Sequence, residues 1–233
     1  MPKTIGILGG MGPRSTAPFL ELVLDQCQQQ YGAKDDLDFP HLMIYSLPTP
    51  FYLDRPIDHQ QMKRQISLGL QRLEQNGVDL IAMPCNTAHV YYEELITGMK
   101  VPLLNIVTET LQAIGGVAKR VTLLATKTTL EAAIYQKGLA MTGHEFIFQL
   151  DWQEKINELI KMVKAQIKLE QIIQMCQELL DLLAKEKVEV VLIGCTDLSL
   201  LKKYLNSKLQ LIDSSEALAR RTVQLWLALS EAK

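Results

Sequence analysis

The sequence predicts an α/β fold: two similar doubly wound, parallel-sheet lobes related by pseudo-two-fold symmetry, with the functional site in the cleft between them. Three observations carry that prediction. Short apolar runs alternate with helical patterns along the whole chain, the mark of βαβ units. The second half repeats the first: "VEVVLIGCTDLS" (188–199) lies on "VDLIAMPCNTAH" (78–89) at an offset of 110 residues, so that Cys195 falls on Cys85. And 233 residues with 48% apolar content are ample for two cores of about 100 residues each.

The elements follow in order. "TIGILGG" (4–10) is a buried strand ending in glycines, and "STAPFLELVLDQCQQQ" (15–30) is an amphipathic helix. "HLMIYSL" (41–47) is a second strand. The helix over 58–77 closes on Gly77, a good C-terminal stop. "VDLIAMP" (78–84) reads as a strand, 86–98 as a helix, 101–106 as a strand, and a further helix runs to about Gly116. The repeat then starts. "KRVTLLAT" (119–126) aligns with "KTIGILGG" from Lys3 at an offset of 116, and "HEFIFQL" (144–150) is its second strand. Helices over about 153–166 and 169–186 carry Met, Leu and Ile on one face. "VEVVLIGC" forms the next strand. A short strand and a helix capped by Asp213, with Glu216 three residues on, end the chain. The lobes are therefore expected at 1–100 with 212–233, and at 101–211.

Bulk properties exclude several classes. A net charge of −2 and a pI near 6.1 give no basic footprint for nucleic acid. The glycine-broken N-terminus is no signal peptide, and no apolar run approaches the roughly 20 residues that span a bilayer. The four cysteines, Cys27, Cys85, Cys176 and Cys195, include no CxxC pair; reduced thiols in the cytoplasm are expected.

Two of those cysteines are placed for chemistry. Ligands in doubly wound sheets sit beyond the carboxyl ends of strands, where Cys85 and Cys195 both stand. A following helix N-terminus and nearby backbone N–H groups favour a thiolate there. Two thiols facing one carbon centre can take a proton from one face and return one to the other, which is what inverting a stereocentre requires. Cys27 and Cys176, mid-helix and unaccompanied, read instead as inert core thiols.

"PCNTAH", "GCTD" and the opening "GILGGMGPRSTAPF" together resemble the aspartate/glutamate racemase family, over nearly the whole chain from Ile5 to the last helix. The resemblance implies a cofactor-independent amino-acid racemase with two cysteines as acid and base, most readily for aspartate or glutamate, and a homodimer. It implies that Met11, Gly12, Thr49, Asn86, Thr87, Thr126 and Thr196 line the substrate site. Lys164 falls where some members hold a substrate carboxylate; as a residue alone it reads equally as a solvated helix lysine. Two positions bear on the family pattern: Asp197 stands where glutamate is usual, one methylene shorter, and Arg55 lies in the loop after the second strand, where many members carry an arginine. Rival readings are a related two-cysteine enzyme, such as a hydantoin racemase or maleate isomerase, and a small-ligand-binding module without catalysis.

Other signals point away from cofactors. "GGMGPRS" lacks the third glycine of a dinucleotide fingerprint and suits a backbone nest for a carboxylate. Cys85 and His89, four apart, lack the further ligands of a closed zinc site, so no metal is expected and His89 is read as packing at the helix or hydrogen-bonding locally. No lysine stands in a recognisable pyridoxal phosphate motif. Tyr91 and Tyr92 read as core or interface aromatics.

Overall fold

The computed structural model describes residues 2–52 and 55–231, and its contacts divide the chain into two units: 1–106 with 215–233, and 107–214.

In the first unit, β1 (Thr4–Gly9) is buried on both faces, as an interior parallel strand should be. The chain turns through a short 3₁₀ segment into α1 (Thr16–Tyr31), which stops at Gly32 with φ +75. Then come β2 (His41–Ser46) and α2 (His59–Gln75). The Asp58 carboxylate accepts from Gln61 N–H at 2.9 Å to cap α2, and Gly77 at φ +78 turns the chain after it. β3 (Leu80–Ala82) completes a parallel sheet of order β2-β1-β3, with Ile5 opposite both Leu42 and Leu80.

Two expected elements take another form here. Instead of a helix over 86–98, a 3₁₀ turn (Thr87–Tyr91) runs into the single-turn α3 (Tyr92–Leu95). The i→i+3 bond from His89 N–H to Asn86 O, at 3.0 Å, tightens it. The strand expected over 101–106 is reduced to one bridge, Leu103 to Ile81, because Pro102 has no N–H to give and Ile106 already starts α4 (Ile106–Gln112).

The second unit carries β4 (Arg120–Leu124), then α5 (Lys127–Glu131) and α6 (Ile134–Met141), two helices for which the sequence gives no separate expectation. β5 is only Glu145–Phe146, far shorter than 144–150. One further bond, Ile147 N–H to Val121 O at 2.8 Å, extends the pairing before α7 (Leu150–Lys164) begins, three residues earlier than expected. The apolar run misleads because Leu150 is 82% exposed and belongs to the helix. α8 (Leu169–Lys185) follows, then β6 (Val190–Ile193), the four-residue α9 (Thr196–Ser199) and β7 (Gln210–Asp213). α10 (Ser214–Glu231) starts directly after Asp213 and from Ser215 on belongs to the first unit. The parallel sheet has order β5-β4-β6-β7.

With the Leu103 bridge counted as the fourth position, both sheets share one order, 2-1-3-4. The repeat extends to hydrogen bonds. Asp79 N–H donates to Thr4 O at 2.8 Å and its carboxylate accepts from Thr4 N–H at 2.8 Å. Its aligned partner Glu189 does the same with Arg120, at 2.9 and 2.8 Å. Each acid thus satisfies the first N–H of its central strand. Burial alone would raise the Asp79 carboxyl, but the Lys3 ammonium at 2.8 Å and Thr4 N–H hold it below its ordinary value.

Candidate active site

Cys85 follows β3 by three residues and is half-buried, its N–H bonded to Met83 O at 2.8 Å. It packs on the first unit's core cluster together with Met11 and Phe51, beside the buried Tyr91. The Tyr91 phenol is pushed up by burial and then by the charge of a Cys85 thiolate, and its hydroxyl lies 2.8 Å from His59 Nδ1. Asn86 and Thr87 are both buried at the start of the 3₁₀ turn.

Met11 and Gly12 form the turn after β1. Gly10 just before them needs to be glycine: φ is +88, and a Cβ would stand 2.4 Å from Leu47 N. Gly10 N–H donates to Thr16 Oγ1 at 2.9 Å. Thr49 lies in the loop after β2, half-buried, its carbonyl accepting from Phe51 N–H at 2.8 Å. In that loop Leu53 and Asp54 lie outside the described residues. Arg55 places its guanidinium 4.3 Å over the Tyr52 ring.

In the second unit Cys195 follows β6 and occupies the N-cap of α9, 7% exposed, with Thr196 buried beside it. Thr126, at the end of β4, uses its hydroxyl oxygen as an acceptor: Oγ1 accepts from Thr129 N–H at 3.3 Å and caps α5. Lys164 is partly exposed but paired. Its ammonium lies 2.8 Å from the buried Asp197 carboxylate, joining the last residue of α7 to α9. Sequence reasoning weighed both residues separately and missed the pair, which joins positions 33 apart on elements whose packing no local pattern encodes.

The helix-dipole support expected for the two thiols is weaker than predicted. A five-residue 3₁₀ turn and a four-residue helix align too few peptides for a strong macrodipole. His89 is not a partner for the Cys85 thiol either; its Nδ1 lies 2.8 Å from the Cys85 carbonyl oxygen. Cys27 and Cys176 are buried in α1 and α8. Burial raises both thiols, that of Cys176 to about 11. Among the described residues no group of three or more His, Cys, Asp and Glu is gathered as for a metal ion, and no helix is long and apolar enough to cross a membrane.

Two parallel sheets of one order thus each carry a cysteine just past the end of an equivalent strand. The Asp/Glu/Hydantoin racemase family profile matches residues 8–222. The broad specificity amino-acid racemase RacX of Bacillus subtilis (strain 168) is 47% identical over 224 residues, covering 96% of this chain and 98% of that protein. Among solved structures, the Picrophilus torridus aspartate racemase superposes with a TM-score of 0.80 at 26% identity, covering 96% of this chain and 94% of that one. An aspartate racemase homologue from Pyrococcus horikoshii OT3 gives 0.78 at 26% identity, covering 97% and 100%. The chain belongs to the Asp/Glu/hydantoin racemase family and is an amino-acid racemase, an isomerase.

Proposed function

We propose that the protein racemises α-amino acids by a two-base mechanism in which Cys85 and Cys195 are acid and base on opposite faces of Cα. One cysteine, as thiolate, removes the Cα proton; the other, as thiol, protonates the carbanion from the far side. The protein is left with the two roles exchanged, ready for the opposite enantiomer. No cofactor is required by this scheme, because both protons travel on side chains. The carbanion is instead stabilised by holding the substrate carboxylate against backbone and side-chain donors: the Met11–Gly12 turn, Thr49, Asn86, Thr87, Thr126 and Thr196.

The observation that carries the reading is the equivalence of the two cysteines. They sit past the ends of corresponding strands in two sheets of the same order. Two observations support a broad substrate range. Lys164, at the position where some family members hold a substrate carboxylate, lies 2.8 Å from the Asp197 carboxylate. RacX, the relative matched over nearly its full length, is named for broad specificity. We therefore extend the substrates from aspartate and glutamate to α-amino acids generally. The same reading takes the enzyme to be a cytoplasmic homodimer, which light scattering would weigh.

Deuterium wash-in at Cα across a panel of L- and D-amino acids tests the proposal. Cys85→Ser and Cys195→Ser should each abolish racemisation in both directions, since every turnover uses both groups and a serine hydroxyl is a far weaker acid than a thiol near 8.5. Residual exchange should favour one enantiomer in one mutant and its mirror image in the other. Near-wild-type racemisation by either mutant, or the same enantiomer preference in both, would overturn the two-base scheme.

A further inference from the structure

His89 is a buried imidazole that the two-base scheme does not use. It is 3% exposed, and three backbone groups surround its ring nitrogens. Nδ1 lies 2.8 Å from Cys85 O; Nε2 lies 3.2 Å from Leu104 O and 3.3 Å from Ile106 N. These groups fix the tautomer. The Ile106 N–H can only donate, so Nε2 accepts; the proton is then on Nδ1, which donates to the Cys85 carbonyl. The alternative tautomer would gain a bond to Leu104 O but lose both of the others. Burial disfavours the imidazolium, pulling the His89 pKa below its ordinary value although the two carbonyls oppose that shift.

The ring is held from the side as well. Tyr92 stacks on it with centroids 5.7 Å apart and planes 10° apart, and the Tyr92 hydroxyl donates to Leu103 O at 2.9 Å. His89 and Tyr92 thus tie the turn that begins at Cys85 to the segment 103–106, which sequence distance alone leaves independent of it. A peptide unit is planar, so fixing the Cys85 carbonyl also fixes the direction of the Asn86 N–H on the other side of the same plane.

We propose that His89 is a positioning residue for Cys85: its neutral, Nδ1-protonated ring clamps the Cys85 peptide to the 104–106 segment and so sets where the thiol stands for proton transfer at Cα. The inference rests on the reading of Cys85 as an acid/base group. It gives an otherwise unexplained buried histidine a role one covalent step from the chemistry, without contact to the substrate.

The variants that test it separate the two ring nitrogens. His89→Leu removes both bonds. His89→Asn keeps an amide N–H donor near the place of Nδ1, and His89→Gln carries its amide further out, toward the place of Nε2. In the racemisation assay His89→Leu should lose at least about tenfold in kcat with KM changed less than about threefold, as expected when a reacting group is displaced by a fraction of an ångström. Mass-spectrometric alkylation rates with a haloacetamide should change at Cys85 and stay at the wild-type value at Cys195. His89→Asn should recover most of kcat and the Cys85 rate; His89→Gln should recover less. A structural role alone would raise alkylation at Cys27, Cys85, Cys176 and Cys195 together as the fold loosens, and that result overturns the inference. So does a wild-type kcat in His89→Leu. Should the leucine variant not fold, the comparison of Asn with Gln decides, and equal behaviour of the two counts against the clamp. Cys85→Ser, run in parallel, keeps the two ideas apart: if it still racemises, the acid/base reading itself has failed, whatever His89 does.

Discussion

Breaking the Lys164–Asp197 ion pair should cost stability by an amount its one-sided burial sets. The carboxylate side chain is 9% exposed and the ammonium side chain 34%, with 2.8 Å between them. At an effective dielectric near 20 the bare attraction at that distance is about 6 kcal/mol. Water reaching the lysine screens it, and the desolvation of Asp197 opposes it. Fully exposed pairs contribute about 0.2–1 kcal/mol, whereas stranding one charge of a buried pair costs about 3–5 kcal/mol. A pair buried on one side should fall between, with a coupling of about 1–3 kcal/mol in a double-mutant cycle of Lys164→Met and Asp197→Asn. The two single changes should differ in a defined order. Lys164→Met strands a carboxylate that water hardly reaches, and should lower Tm by about 4–8 °C for a loss near 2 kcal/mol in a chain of this size. Asp197→Asn leaves a lysine that can turn to solvent, and should cost less. Thermal and urea unfolding of the four proteins supply the cycle, and racemisation of acidic, neutral and basic amino acids by the same four shows how the pair shapes specificity. A coupling below about 0.3 kcal/mol, the ordinary scatter of additive changes, or the reverse order of the two singles, would refute the reasoning and return Lys164 to the role of a solvated helix lysine.

Two further outcomes are expected. The His89 pKa is depressed in the folded protein, so the unfolded chain binds a proton first as pH falls; its contribution is fully present above the ordinary value of 6.5 and is lost below it, by at most about 1.4 kcal/mol per pH unit. Urea unfolding between pH 8 and 5 should show that loss in the wild type and a flatter profile in His89→Asn; identical profiles would place the acid sensitivity elsewhere. Gly10→Ala should destabilise by clearly more than Gly32→Ala. Both positions have positive φ, costing about 1–2 kcal/mol for any side chain, but only Gly10 would also drive a Cβ to 2.4 Å from Leu47 N, while nothing lies within 4 Å of Gly32. Equal losses would show that the backbone yields freely at the turn holding Met11 and Gly12.

The sequence by itself determined the alternation of strands and helices, the duplication and the two cysteines at corresponding strand ends. These are legible because burial has a period: a central parallel strand such as 190–193 must be apolar on both faces, and a helix such as α8 must be apolar on one. Even the pairing of Asp79 with Glu189 was visible, since both do one job at equivalent strand starts. Tertiary structure alone decided the rest. The residues at 86–98 carry helix-compatible composition, yet a 3₁₀ turn forms where the chain is tied back to Cys85 and Leu104 through one imidazole. The run 101–106 is strand-like in composition but pairs at a single residue, because Pro102 brings the ladder only its carbonyl and Ile106 already starts α4. Thr126 was visible as a strand-end hydroxyl; that it caps α5 depends on where Thr129 turns. Lys164 and Asp197 meet only because α7 packs against α9, and His89 meets Ile106 only because the segment after Leu103 runs beside β3. Local periodicity records which face of an element is buried. Which polar groups meet across two buried faces is settled by the packing that brings those faces together.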